Sequence, residues 1–176
     1  MAETLLISED DIREFWSMGK NMPKAKISPQ ILRAQQSDLK PFLGQALYYD
    51  FVSNVSDPEY QELLNGKEYQ YQDDTVFFTG VKPMLAAFAF SRIKRNASDF
   101  LTRGGNKHKQ TDESTEIANR SIMSKAREAE SEAIRMQGEV SQFLDSFRST
   151  YKLWRVEKGV KKSSMRISKI SRFKGY

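Results

Sequence analysis

From Ile122 to Trp154 the chain carries an apolar ladder. Ile122, Ala126, Ala129, Ala133, Met136, Val140, Leu144, Phe147, Tyr151 and Trp154 are separated by 4, 3, 4, 3, 4, 4, 3, 4 and 3 residues. Steps of three and four place all ten on one stripe of an α-helix. The pattern predicts a single helix of about forty residues, roughly 60 Å long at 1.5 Å per residue. A domain of 176 residues is compact to a radius of about 16 Å, so such a helix bends or projects. Ala126, Ala129 and Ala133 let a neighbouring helix approach closely, as in a helical bundle. The far end is aromatic: Phe143 lies beside the stripe and widens the face made by Phe147, Tyr151 and Trp154. That end is a candidate subunit contact.

The rest of the chain reads as shorter helices interrupted by one β element. Ser8-Glu9-Asp10-Asp11 opens a first helix, with Ser8 as cap and acids at the positive end of the dipole. Ile12, Phe15 and Trp16 form its apolar face and Gly19 ends it. Ser28-Pro29 is a second start signal, followed by Ile31, Leu32, Leu39, Phe42, Leu43, Leu47, Phe51 and Val52 at helical spacing. Pro41 is expected to kink or restart this helix, with Ser37-Asp38 capping the second piece. Asp57-Pro58-Glu59 starts a short helix that stops at Asn65-Gly66. Over residues 67–79, Tyr69, Tyr71, Val76, Phe77 and Phe78 flank Asp73-Asp74, which predicts a small β-hairpin. A two-stranded hairpin is marginal alone, so it must pack on helices or on another subunit. Lys82-Pro83 starts a helix running to about Thr102, with Met84, Leu85, Phe88, Ala89, Ala97, Phe100 and Leu101 as buried candidates. Residues 103–114 are polar and glycine-containing, a mobile loop.

Composition narrows the function classes. No cysteine is present, which fits assembly inside a cell and removes thiolate chemistry. The opening residues have no basic region and only a short apolar run, so no signal peptide is expected. No stretch approaches eighteen apolar residues, so no membrane span is expected. The formal charge of +5 is unevenly placed. Residues 156–176 hold seven basic residues against Glu157, a net +6; the other 155 hold 21 basic and 22 acidic residues, a net −1. The basicity is therefore in the tail and not the body.

No catalytic, cofactor or metal site emerges. The single histidine, His108, stands between two lysines in the polar loop, without a second histidine or a cysteine. The phosphate-loop, dinucleotide, zinc-protease and nucleophile-elbow motifs are all missing. Arg103-Gly104-Gly105 is one isolated copy of an RGG-like element and reads as a flexible exit from a helix. Glu128, Glu130 and Glu132 diverge around the long helix. These absences favour a structural or binding role over an enzyme.

The tail repeats a triplet. Arg166-Ile167-Ser168, Lys169-Ile170-Ser171 and Arg172-Phe173-Lys174 precede Gly175-Tyr176, so that Ile167, Ile170, Phe173 and Tyr176 recur every third residue. That period fits neither a helix face nor strand alternation. It suits an extended arm laid into a groove, with Arg166, Lys169 and Arg172 facing acid or phosphate. An unbound basic tail and direct nucleic-acid binding are the other readings.

The order of features resembles the head-to-tail connector (head-completion, or adaptor) proteins of tailed bacteriophages. The residues that carry the likeness are the acidic helix after Leu5-Leu6-Ile7, the segment Leu43-Gly44-Gln45-Ala46-Leu47-Tyr48, and Leu63-Leu64-Asn65-Gly66 followed by Tyr69. Val76-Phe77-Phe78-Thr79-Gly80-Val81-Lys82 and the Ala/Phe-rich helix Leu85–Arg92 continue it. It spans roughly residues 5–155 and is similar in particular to the versions from phages of the Bacteroidota, crAss-like phages included. The resemblance implies a small helical domain forming a ring, typically twelve-fold, below the portal. Such a ring bridges portal and tail, lies in the virion neck after assembly in the host cytoplasm, and leaves a channel through which DNA passes without sequence-specific contact.

The sequence thus predicts a mainly α protein. A helical connector domain, residues 1–155, has one long C-terminal helix and a hairpin insertion at about 67–79; residues 156–176 form an extended basic arm. The expected subunit and partner contacts are Tyr69, Tyr71, Phe77, Phe78, Phe143, Phe147, Tyr151 and Trp154 in the body. In the arm they are Arg166, Ile167, Lys169, Ile170, Arg172 and Phe173. The expected partners are further copies of the chain, a portal protein and tail or neck proteins, with no cofactor, metal or membrane. The rival reading is a helical nucleic-acid-binding or packaging accessory protein acting through the basic tail.

Overall fold

The segment Val81–Arg95 is apolar on nearly every side, which a helix can tolerate only when surrounded. The computed structural model describes residues 4–18, 22–96 and 112–155, with side chains in the last stretch from 120 onward, and places that segment at the centre. The elements in chain order are α1 (Glu9–Phe15), α2 (Lys24–Ala34), α3 (Lys40–Leu43), α4 (Gln45–Ser53), α5 (Pro58–Asn65), strands β1 (Lys67–Tyr71) and β2 (Asp74–Phe78), α6 (Val81–Arg95) and α7 (Asp112–Ser146). The protein is a mainly α helical bundle with one long C-terminal helix and a two-stranded hairpin. Helix α6 buries residues on all faces, among them Met84, Leu85, Ala86, Ala87, Ala89 and Ile93, and packs against α1, α2, α5 and α7. Alanines on both α6 and α7 (Ala129 and Ala133) lie in the same core, so the two helices meet closely.

Polar pins fix the shorter elements. Ser8 forms a reciprocal capping box with Asp11: its Oγ accepts from Asp11 N–H at 3.2 Å and its N–H donates to Asp11 Oδ2 at 2.6 Å. Lys82 Nζ lies 3.1 Å from the other oxygen of Asp11, tying α1 to the start of α6. The fully buried Gln35 accepts from Leu6 N–H at 2.8 Å and donates to Thr4 O at 3.1 Å, which holds the N-terminal segment down. Trp16 then stacks on Phe90 at 4.9 Å.

Several boundaries differ from expectation. Helix α1 ends at Phe15 with Trp16 as its cap, and Phe15 is exposed; Gly19 lies outside the described residues. Helix α2 begins at Lys24 after Pro23, and Pro29 sits inside it rather than at its start. The first turn closes without Ser28, through Lys26 N–H to Pro23 O at 2.9 Å. Ahead of Pro41 the chain makes a π-turn, Gln35–Leu39, in which Lys40 N–H bonds Gln35 O. The extra residue per turn accommodates a proline that has no N–H to donate, so the helix is not restarted there and Asp38 is not a cap. The break comes at Gly44, φ 81 and ψ 155, a backbone region essentially restricted to glycine. Asp38 instead takes Arg92 in a fork, with Nη2–Oδ1 at 2.8 Å and Nε–Oδ2 at 3.0 Å, joining the π-turn to α6.

Helix α7 has 35 residues, about 52 Å at 1.5 Å per residue, and stops at Ser146. Tyr151 and Trp154 are therefore not on the helix. They fall in successive turns, closed by Tyr151 N–H to Phe147 O at 2.9 Å and Trp154 N–H to Tyr151 O at 3.0 Å. Arg155, the last of the described residues, has φ 59.

Candidate interaction surface

The hairpin is held at its neck by two glycines. Gly66 and Gly80 both have φ +88, and their backbones cross so closely that no side chain fits at either. A Cβ on Gly66 would stand 2.1 Å from Phe78 O; one on Gly80 would stand 2.4 Å from Leu64 O. Beyond the neck, Lys67 pairs with Phe78, Tyr69 with Val76 and Tyr71 with Asp74. The two-residue turn is Gln72-Asp73, one residue earlier than the acidic pair suggested, with Gln72 in the left-handed region at φ 57.

Alternation along the strands then sorts the four predicted aromatics. Tyr69 and Phe78 face the bundle and are buried. Phe78 stacks on Phe143 with centroids 4.1 Å apart, and Tyr69 meets Phe143 edge-on at 5.4 Å. Phe77 points to the opposite side and is 63% exposed. Tyr71 shares the face of Tyr69 but lies at the tip, 37% exposed, over a shallow recess with Gln142, Asp145 and Ser146. The outer face and tip also carry Glu68, Asp73 and Asp74, all exposed.

The aromatic end of α7 is not the free contact surface that its sequence suggested. Phe143 is fully buried under the hairpin. Phe147 is half-buried beside it, 4.8 Å ring to ring, with Lys67 Nζ 4.4 Å above its ring. Tyr151 is buried against Tyr60 and its hydroxyl donates to Glu59 O at 2.6 Å. Burial, joined at Tyr60 by a hydrogen bond to Asp50, pushes both phenols well above their ordinary pKa. Trp154 packs on Phe42 and donates from Nε1 to Asp145 Oδ1 at 2.9 Å. These side chains, with Tyr69 and Phe78, are satisfied within the chain. Of the eight body residues expected at contacts, Phe77 and Tyr71 are the exposed ones.

A groove that sequence reasoning did not single out opens where the final turns fold against α3. It measures about 850 Å³, and its lining combines the apolar Pro41, Phe42, Ala46, Leu153 and Trp154 with three cationic residues, Arg148, Lys152 and Arg155. The sequence signal was available: 148, 152 and 155 are spaced by four and three. Asp145 partly neutralises these cations, bonding Arg148 at 3.0 Å and Arg155 at 3.2 Å. Burial works against the Asp145 charge, but the bonds from Trp154 and Arg148 and the nearby Arg155 outweigh it and hold its carboxyl below the usual range. Lys152 makes no ion pair among the described residues. Arg166, Ile167, Lys169, Ile170, Arg172 and Phe173 lie outside the described residues, as do His108 and the RGG-like element.

Among the described residues there is no group of three or more potential metal ligands, and no helix is long and apolar enough to cross a membrane. Residues 39–164 match a Family of unknown function (DUF6712), and the chain belongs to that family. Neither a curated protein nor a solved structure matches it. The family region contains the hairpin, α6, α7 and the groove.

Proposed function

We propose that this protein is a structural virion subunit, one copy in an adaptor ring that joins the portal of a tailed phage to its tail and surrounds the DNA channel. The observation that carries the reading is the hairpin. Its inner face is locked to the core through Tyr69, Phe78 and Phe143, while Phe77 and Glu68 on its outer face and Asp73 and Asp74 at its tip are exposed among the described residues. A rigid apolar projection of this kind is what a repeated subunit contact requires. The resemblance to head-to-tail connectors supports the same reading. So does the nearly neutral body, which would let DNA pass without gripping it. Cryo-electron reconstruction of phage particles tests it: a ring of this chain between portal and tail is expected, and a neck lacking it refutes the proposal.

A nucleic-acid-binding or packaging accessory is the second reading, favoured by the three cations that line the groove, Arg148, Lys152 and Arg155, and by the basic composition of residues 156–176. A chain that stays monomeric and retards DNA in a salt-dependent manner would favour it over the ring.

A further inference from the structure

The acidic, aromatic outer face of the hairpin and the cationic, apolar groove at the end of α7 are complementary. The hairpin offers Phe77 and Tyr71 with Glu68, Asp73 and Asp74, and these acids make no ion pair among the described residues. The groove offers an apolar lining that includes Phe42, Leu153 and Trp154, and three cations against the single carboxylate of Asp145. The hairpin cannot fold back into the groove of its own chain, because the glycine neck and the buried Tyr69 and Phe78 fix its direction. Among the described residues, both surfaces are therefore open to other copies.

We propose that the hairpin tip of one copy seats in the Phe42–Trp154 groove of the next, with Phe77 on the apolar lining and Asp73 and Asp74 facing Lys152 and Arg155. The inference rests on the ring reading and supplies its subunit contact. The two surfaces are different patches of one chain, so the contact is heterologous and forms a ring where its rotation closes. The charges select the partner surface and register, and the apolar contact holds it.

The test uses the full chain in sedimentation velocity and native mass spectrometry over a concentration series. The parent is expected to self-associate. Asp73→Lys/Asp74→Lys and Lys152→Glu/Arg155→Glu should each weaken association by about tenfold or more, since each places like charges together. An equimolar mixture of the two variants should regain association, because both contacts between unlike copies, reversed tip on reversed groove and unchanged tip on unchanged groove, bring opposite charges together. Phe77→Ser, exposed and safe for folding, should weaken association without altering the melting curve. Lys152→Glu alone serves if the Arg155 change disturbs the Asp145 cluster.

A parent that remains monomeric throughout, or charge variants that assemble like the parent, overturns the proposal. So does loss on reversing the tip with none on reversing the groove, which would send the tip to another basic surface. Groove variants that lose binding to a fluorescent mixed-sequence oligonucleotide but keep assembly would assign the groove to nucleic acid, and also overturn it. A charge-sensitive assembly that stops at two copies supports this contact while counting against the ring reading; a ring insensitive to these charges does the reverse.

Discussion

Replacing Gly66 by alanine is expected to be among the most damaging single-methyl additions in this protein. The added carbon would stand 2.1 Å from Phe78 O, 2.7 Å from Thr79 C and 2.9 Å from Gly80 N, all backbone atoms. No side-chain rotation relieves such contacts; the two strands must move apart at the neck. The residue also sits at φ 88 and ψ 167, where a side chain costs about 1–3 kcal/mol. Forcing the neck open adds about 1–3 kcal/mol, as for other overpacked sites. Together these give about 2–6 kcal/mol, a fall in melting temperature of roughly 5–20 °C for a chain of this length. Urea and thermal unfolding followed by circular dichroism measure it.

Gly138→Ala is the control. It lies in α7, and a Cβ there meets nothing within 4 Å, so the same methyl group should stabilise by about 0.5–1 kcal/mol through helix propensity alone. Gly66→Ala/Gly80→Ala should cost less than the two single changes added together, because one displacement of the neck relieves both clashes. A Gly66→Ala protein within about 0.5 kcal/mol of the parent, near the scatter of ordinary surface changes, would refute the reasoning.

The two sides of the hairpin should separate cleanly: Phe78→Ala is expected to cost about 3–5 kcal/mol in urea unfolding, whereas Phe77→Ser should stay within about 0.5 kcal/mol; equal effects would deny the observed facing. Acid titration should reveal Asp145 and Asp11, the latter disfavoured by burial but held low by Ser8 and Lys82. Both have folded pKa values below the ordinary 3.8, so their stabilisation is present above that value and is lost as pH falls through 3.8 and lower. Asp145→Asn should flatten the fall in melting temperature over that window, and an unchanged profile counts against it. At the alkaline end, the raised phenols of Tyr60 and Tyr151 stabilise below their ordinary value of 10.0 and lose that contribution as pH rises through their higher folded values. Phenolate absorbance should therefore show a late fraction that appears only with unfolding, and Tyr60→Phe should shrink it.

What was legible in the sequence was what a short window of residues decides by itself. Ser8 with Asp11, Asp57-Pro58 and Asn65-Gly66 act within one turn, and their helix ends appear where the residues demand. The hairpin followed from its aromatic and β-branched run. The π-turn before Pro41 did not, because Asp38 looks like a local cap and is in fact committed to Arg92, 54 residues away. Gly66 reads as a helix stop, and no short window of residues ties it to Gly80. Only the fold makes them one crossing.

The overshoot of the long helix has a more general cause. A spacing of three and four is produced by any chain that keeps returning to the same side, and successive turns do this as well as a helix. Tyr151 and Trp154 keep the ladder's period because each turn's N–H reaches back three or four residues, to Phe147 and then to Tyr151. Periodicity therefore located the buried side of residues 147–155 correctly but could not fix their path. The path matters for function. A continued helix would have carried Tyr151 and Trp154 outward as a sticky end; the turns bring them back onto Tyr60 and Phe42. In doing so they bring Arg148, Lys152 and Arg155 into the lining of a groove. The candidate contact thus passes from the aromatics that the core consumes to the cations beside them and to Phe77 and Tyr71, which the hairpin leaves exposed.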